Sequence, residues 1–304
     1  MMTKHNTKKK GNQEVFALAD KHLSPKTQRR FCECGDWIDF LADQEAGKMK
    51  VHQANFCKNR FCPVCAWRLT RKDAMKIAVL MDYIETEHQK DFIFVTLTAP
   101  NVKGESLKGE ITRYNRAFKK LVERSEISKI NQGYIRKLEV TYNAKRDDYH
   151  PHFHCIFAVN KSYFKDRTYL KQSRWLDLWR DVMGDDTITQ VDVRKVKRGK
   201  DSSEIAKYAA KDSDYTHNQE VFDIFYAALK GRQILTFNGL FAEANKKYKA
   251  KELEKYKTVD ETEYVWLILY NWGGAVYSER RRKAITEEEY KELKKESIDE
   301  MSMG

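Results

Sequence analysis

No apolar run in this 304-residue sequence is long enough to span a bilayer, and no segment has the pattern of a signal peptide. Both absences point to a cytoplasmic protein. In that reducing compartment the six cysteines are not expected to pair as disulfides. Acidic charge is also in deficit. The 45 Asp and Glu stand against 57 Lys and Arg, giving a net charge of +12. Such a balance points to a polyanionic partner, nucleic acid first, although basic charge alone does not separate a DNA-binding surface from an inert one. The length suits one large domain or two small ones.

Five of the six cysteines fall in one stretch: Cys32, Cys34, Cys57, Cys62 and Cys65. Cys62-Pro63-Val64-Cys65 is a C-x-x-C knuckle, with Cys57 five residues before it. The βαβ pattern that would precede a thioredoxin-like redox pair is missing. The cluster therefore reads as a structural Zn²⁺ site with Cys57, Cys62 and Cys65 as three ligands. The fourth is Cys34, Cys32 or His52; Cys34 is the working choice. This segment lacks strong periodicity and is expected to be irregular. Cys155 stands apart and reads as a core residue.

The spacing predicts helices over 66–89, 105–124 and 168–183, and strands over 92–98, 134–142 and 188–193. A polar turn at 143–148 joins the second strand to Tyr149-His150-Pro151-His152-Phe153-His154-Cys155-Ile156-Phe157. A period of two puts His150, His152 and His154 on one face of that strand, and Phe153, Cys155 and Phe157 on the other. A further helix begins near Ser202 or Ser203. From residue 92 the order is β-α-β-β-α-β-α. Its first six elements match a ferredoxin-like antiparallel sheet with helices on one face, an α+β fold. The histidine strand then lies near the centre of a sheet whose other face is free for nucleic acid. Tyr264 to Tyr270 reads as another buried strand, and Val221, Phe222, Phe225 and Tyr226 as a helix.

Imidazole nitrogens are common metal ligands, and three on one strand face suggest a metal site. Glu139, on the neighbouring strand, joins His152 and His154 if an antiparallel register pairs it with either; His150 is the alternative ligand. On the last helix Glu204 and Tyr208 stand four apart, one turn along one face, with Lys207 and Lys211 in a basic line beside them. Lys195, Lys197, Arg198, Lys200 and Lys211 are the candidate DNA-contacting cations. Together these residues suggest phosphodiester chemistry. A divalent ion, Mn²⁺ being favoured over Mg²⁺ by the imidazoles, would polarise the phosphate, and Tyr208 would attack phosphorus. The metal, Lys207 or Glu204 would help the hydroxyl lose its proton.

His152-Phe153-His154 resembles the His-hydrophobe-His signature of the HUH endonucleases. Phe94-Val95-Thr96-Leu97-Thr98, His150 through His154, Glu204 through Tyr215, and Cys57 through Cys65 resemble, in order, the motifs of rolling-circle replication initiators of small Gram-positive plasmids. The resemblance covers most of residues 30–240. It implies nicking at the plasmid's double-strand origin, where a hairpin exposes single-stranded DNA. Tyr208 would remain on the 5′ phosphate, and the 3′ hydroxyl would prime synthesis by host DNA polymerase. Glu204 would activate water in termination, and His152 and His154 would hold Mg²⁺ or Mn²⁺. A host helicase would be a partner. Tyr215 is a weaker match to the nucleophile, because Asp212 lies only three residues before it.

The chain is expected to divide into a basic flexible tail (1–29), a zinc-binding segment (30–66), a nickase domain (67–218) and a C-terminal α/β extension (219–304). The extension would read origin sequence, mediate homodimerisation or extend the core. Competing readings are a relaxase or single-tyrosine transposase, a non-catalytic DNA-binding regulator, and a hydrolase acting through water alone.

Overall fold

Alternating apolar residues build the strands of two antiparallel sheets, and apolar residues repeating every three or four positions build most of the helices. The structure is a computed structural model and describes residues 2–197, 200–205 and 211–290. In chain order its elements are α1 (Met2–Ala19), α2 (Pro25–Cys32), β1 (Trp37–Ala42), β2 (Met49–Ala54), α3 (Pro63–His88), β3 (Lys90–Thr98), α4 (Gly104–Glu123), α5 (Ser125–Ile130), β4 (Gly133–Asn143) and β5 (Asp148–Asn160). There follow α6 (Gln172–Met183), β6 (Val191–Lys195), α7 (Lys200–Ile205), α8 (Asp212–Tyr215), α9 (Gln219–Leu229), β7 (Leu235–Gly239), α10 (Leu240–Lys249), β8 (Trp266–Trp272) and β9 (Tyr277–Ala284). They form two compact units, residues 1–72 with 258–304, and residues 73–257.

The second unit holds a five-stranded sheet in the order β6-β3-β5-β4-β7, with every neighbouring pair antiparallel. The histidine strand β5 is its central strand, as the α+β reading expects. The odd-numbered side chains of β5 face α4, α6 and α9. Phe153 meets the rings of Tyr114 and Phe118, Phe157 meets Trp175, and Tyr149 meets Phe225. The expectation of a free opposite face is corrected. Phe92, Phe94, Ile135, Ile156 and Ala158 share the histidines' face and are apolar. They are buried in one cluster with Ile77, Leu80, Met81 and Ile84 of α3, Ile205 of α7 and Phe241 and Ala244 of α10. Burying that apolar half requires a second helical layer. The remaining half carries the polar residues.

Pro151 does not interrupt β5. Strand β3 ends opposite His152, so in the register Pro151 lies beyond it and pairs with β4 alone. A missing N–H is tolerated at such a position. The edge strand β7, unforeseen in the sequence, pairs with β4 through Gly133 and Gly239. Gly239 has φ +53°, and a Cβ there would lie 2.6 Å from the Gln132 carbonyl oxygen. Strand β6 runs from Val191 to Lys195, later than the expected 188–193, and Ile188 is buried ahead of it. Helix α6 likewise starts at Gln172 rather than 168.

The first unit contains a second sheet, β2-β1-β8-β9. Ile38, Phe40 and Tyr277 form its small core, flanked by Met49, Val51, Tyr270 and Trp272. Three expectations are corrected here. Residues 1–29 are not a flexible tail: most lie in α1 and α2, and α1 buries His5, Lys9, Asn12, Val15 and Ala19. A helix with so many polar residues has no apolar stripe to announce it; Lys9 and Asn12 are held instead by carbonyl groups. The cysteine segment is not irregular, because β1 and β2 form a hairpin within it. Strand β8 is only half-buried, with Ile268 its one buried residue. The region 219–304 is also divided. Residues 219–257 belong with the larger sheet, and β8 and β9 belong with the cysteine segment.

Candidate functional site

Two groups of side chains converge to metal-binding geometry among the described residues: Cys34, Cys57, Cys62 and Cys65, and Glu139, His152 and His154. Within each group the ligand atoms lie within 4.8 Å of one another.

The cysteine group could bind zinc. Cys34 is the fourth member; Cys32 is exposed and His52 lies outside the group. The Sγ of Cys34 is 3.5 Å from those of Cys62 and Cys65, and Cys57 Sγ is 3.6 Å from Cys65 Sγ. These separations are far beyond a disulfide bond of about 2.05 Å. Backbone N–H groups of Lys58, Cys57 and Asn59 point at Sγ of Cys65, Cys34 and Cys57, and Asn12 Nδ2 donates to Cys62 Sγ at 3.3 Å. Burial pushes the Cys62 thiol up, while hydrogen bonds from Cys34, Cys57 and Cys62 pull Cys65 down. The backbone and Asn12 N–H donors aimed at sulfur favour the thiolate form.

The second group sits at the polar end of the larger sheet. The register opposes Glu139 to His152 across β4 and β5, placing both with His154 on one face. His152 and His154 bring their Nε2 atoms to 3.1 Å of each other. Glu139 Oε2 lies 3.2 Å from His154 Nε2 and 3.7 Å from His152 Nε2. That oxygen is buried and makes no hydrogen bond among the described residues. Burial would push the Glu139 carboxyl up, but the two imidazoles beside it hold it well below the usual carboxylate range. The opposite ring nitrogens are engaged: His154 Nδ1 is 3.2 Å from Thr96 Oγ1 and His152 Nδ1 is 3.3 Å from the His150 carbonyl. Such contacts fix the ring orientation and leave both Nε2 atoms turned inward.

His150 is not brought into this group. Its ring centre is 5.1 Å from that of His152, and its Nε2 is buried without a hydrogen bond among the described residues. Burial, then the His152 charge, pulls its imidazole down to about 4. Two neighbours were missed in the sequence. Lys137, buried on β4 and paired in register with His154, lies on the site's face two residues from Glu139. The period of two along β4 was the signal for it. Asp214 on α8 is held above the usual carboxylate range by burial, with the Glu139 charge contributing. No local pattern announces that proximity.

Tyr208, Lys207 and Arg198 lie outside the described residues, as does the side chain of Glu204. Helix α7, which precedes Lys207 and Tyr208 in the chain, buries Ile205 beside Phe94 and Ile156. Lys197, Lys200 and Lys211 are exposed. Lys195 forms an ion pair with Asp91 at 3.0 Å. Tyr215 is buried against the rings of Phe222 and Phe225. No described helix is long and apolar enough to cross a membrane.

The molecule is an α+β protein with two groups of side chains that could each hold a metal ion. Residues 48–277 match the family described as "Replication protein", and the chain belongs to that family. It is 49% identical to a "Protein rep" of Staphylococcus aureus over 221 residues, covering 72% of this chain and 96% of the relative. It is 34% identical to a "Protein rep" of Bacillus amyloliquefaciens over 255 residues, 75% of each chain. A "Protein rep" of Streptococcus pneumoniae is 35% identical over 231 residues, 73% of this chain and 72% of that one. No solved structure matches the chain significantly.

Proposed function

We propose that this chain initiates rolling-circle replication of a small plasmid. It would nick one strand of the double-strand origin through a metal-dependent, tyrosine-using reaction of the HUH type. The observation that carries the reading is the Glu139–His152–His154 group on the two neighbouring inner strands of an antiparallel sheet, in a member of a replication-protein family. Origin DNA, single-stranded at the nick, is the substrate. Host helicase and DNA polymerase are the expected partners, and the cytoplasm the expected compartment.

The donor set fits a divalent transition ion. Two imidazole nitrogens and an ionised carboxylate converge, and the buried Glu139 oxygen otherwise lacks a partner among the described residues. Mn²⁺ suits imidazole better than Mg²⁺, which prefers oxygen. Held by Glu139, His152 and His154, the ion would act as a Lewis acid on the scissile phosphate. Tyr208 would supply the nucleophile. Its oxygen would attack phosphorus, the bond to the 3′ oxygen would break, and the phosphodiester would be kept as a 5′-phosphotyrosine. Lys207 would take or share the tyrosine proton. Glu204, four residues before Tyr208 in the chain, would later deprotonate the water that ends the cycle. Lys197, Arg198, Lys200 and Lys211 would hold the strand by its phosphates. The burial of Tyr215 favours Tyr208 as nucleophile.

For the cysteine group the fitting ion is Zn²⁺ in a structural role. Sulfur separations of 3.5–3.6 Å are near the edge of about 3.8 Å for a tetrahedron with zinc–sulfur bonds of about 2.3 Å.

The test is covalent trapping of a labelled single-stranded origin oligonucleotide with Mn²⁺ on a denaturing gel. The expected adduct disappears with Tyr208→Phe and with EDTA. Cleavage without an adduct would instead indicate a hydrolase using water alone. Binding with neither cleavage nor adduct would indicate a DNA-binding regulator.

A further inference from the structure

Tyr208, assigned as the nucleophile, follows α7 by three residues in the chain, and an ion pair with a wholly buried carboxylate joins α7 to β6. Arg194 lies on β6, an edge strand, and shares the histidine face through its register with Phe94. Its Nη1 donates to Asp201 Oδ2 at 2.6 Å and its Nη2 to Asp201 Oδ1 at 2.7 Å, a two-point planar contact. Asp201, in the first turn of α7, is wholly buried at 0% exposure. The same carboxylate accepts from the Lys197 backbone N–H at 2.5 Å, and the Asp201 N–H donates to the Lys197 carbonyl at 3.0 Å. One side chain therefore ties the end of β6, the connection after it and the first turn of α7.

The tie reaches the metal-ligand group as well. The Arg194 guanidinium sits 4.5 Å above the centre of the Phe94 ring, and Phe94 lies 5.5 Å from the His154 ring. Ile205, four residues after Asp201, is buried in the same cluster as Phe94 and Ile156. Asp201 also precedes Tyr208 by seven residues in the chain.

We infer that Arg194 and Asp201 are positioning residues that fix α7, the helix that leads in sequence to Tyr208, against β6 and the histidine face of the sheet. The inference rests on the reading of Tyr208 as nucleophile. A two-point guanidinium–carboxylate contact fixes orientation as well as distance, which a point charge does not. Removing Asp201 leaves Arg194, among the described residues, only its ion pair with Asp192 at 3.2 Å, and a helix shifted by about 1 Å lowers reaction rates about 10²-fold without abolishing binding.

The experiment measures adduct formation with the origin oligonucleotide at saturating DNA and Mn²⁺, alongside oligonucleotide affinity, the Mn²⁺ concentration dependence and thermal unfolding. Asp201→Asn is expected to slow nicking and strand rejoining by the same factor, about 10²-fold, with DNA affinity and Mn²⁺ dependence unchanged. Arg194→Lys, which keeps the charge but not the two-point contact, should fall between Asp201→Asn and the native protein. Asp201→Asn with native rates, in a protein that does form the adduct, would overturn the inference. So would a rate loss matched by weakened DNA or Mn²⁺ binding, because that outcome reports a disturbed site and not a misplaced helix. If Asp201→Asn fails to fold, Arg194→Lys alone decides: native rates in that variant refute the proposal. Absence of any adduct in the native protein would sink the nickase reading itself, which keeps the two failures apart.

Discussion

Glu139 and His152 face each other across β4 and β5, and Glu139 Oε2 comes closer to the next histidine, His154, at 3.2 Å, than to its partner in register at 3.7 Å. The three side chains thus form a triangle set by strand pairing alone. A slip of one residue would turn Glu139 to the opposite face.

Glu139→Gln should remove the anionic member of that triangle while keeping its shape. The expected result is loss of Mn²⁺-dependent adduct formation, with single-stranded oligonucleotide affinity retained. Thr96→Val, which removes the hydroxyl beside His154 Nδ1, should raise the Mn²⁺ requirement by about 10–100-fold. A metal titration of the two variants measures both effects.

Cys34→Ser and Cys32→Ser should behave differently, although the two cysteines are two positions apart. Cys34 is buried within the four-sulfur group and Cys32 is exposed. Loss of one thiolate from a structural zinc site removes a large part of the roughly 10–16 kcal/mol such sites contribute. Bound zinc should fall from one per chain to near none in Cys34→Ser and stay unchanged in Cys32→Ser, as elemental analysis will show.

The first unit should lose stability below neutral pH through His5. Its ring is buried edge-on against Phe40 and Trp67. Burial, with the Arg71 charge, pulls its imidazole down to about 4. The unfolded chain binds the proton near pH 6.5, so the stabilisation is present in full above about pH 6.5 and is lost progressively as pH falls toward 4. His5→Leu removes the titrating group. Its melting temperature should fall less between pH 7 and pH 5 than that of the native protein, in thermal melts recorded at both values.

Phe153 is the apolar counterpart of the two histidines that flank it. It is fully buried beneath Tyr114 and Phe118, with the Arg136 guanidinium 4.4 Å from its ring centre. Phe153→Ala should cost about 3–5 kcal/mol, read as a lower denaturant midpoint. Because His152 and His154 are its neighbours on β5, the Mn²⁺ requirement should rise as well.

Much of the site could be read locally. The two-residue period of β5 and the strand character of 134–142 made Glu139 a candidate beside His152 or His154, and the register that pairs it with His152 was left to the structure. The cysteine spacing likewise singled out three of the four cysteines that converge. Cys34 could not be chosen over Cys32 or His52, because the choice depends on how α2 leads into β1. Tyr215 offered a rival to Tyr208 in the sequence. Only the packing of Phe222 and Phe225 shows that Tyr215 is buried.

The sequence by itself determined the basic charge, the antiparallel α+β core and the residues that gather on one strand face. These depend on composition and on periods of two and 3.6, which are local properties. Tertiary structure decided the rest: helices on both faces of the larger sheet, α1 held by Lys9 and Asn12, β8 and β9 joined to the cysteine segment, and the Arg194–Asp201 tie. Each of these depends on contacts between residues far apart in the chain or on polar groups satisfied only once other elements are in place. Neither leaves a period in the sequence.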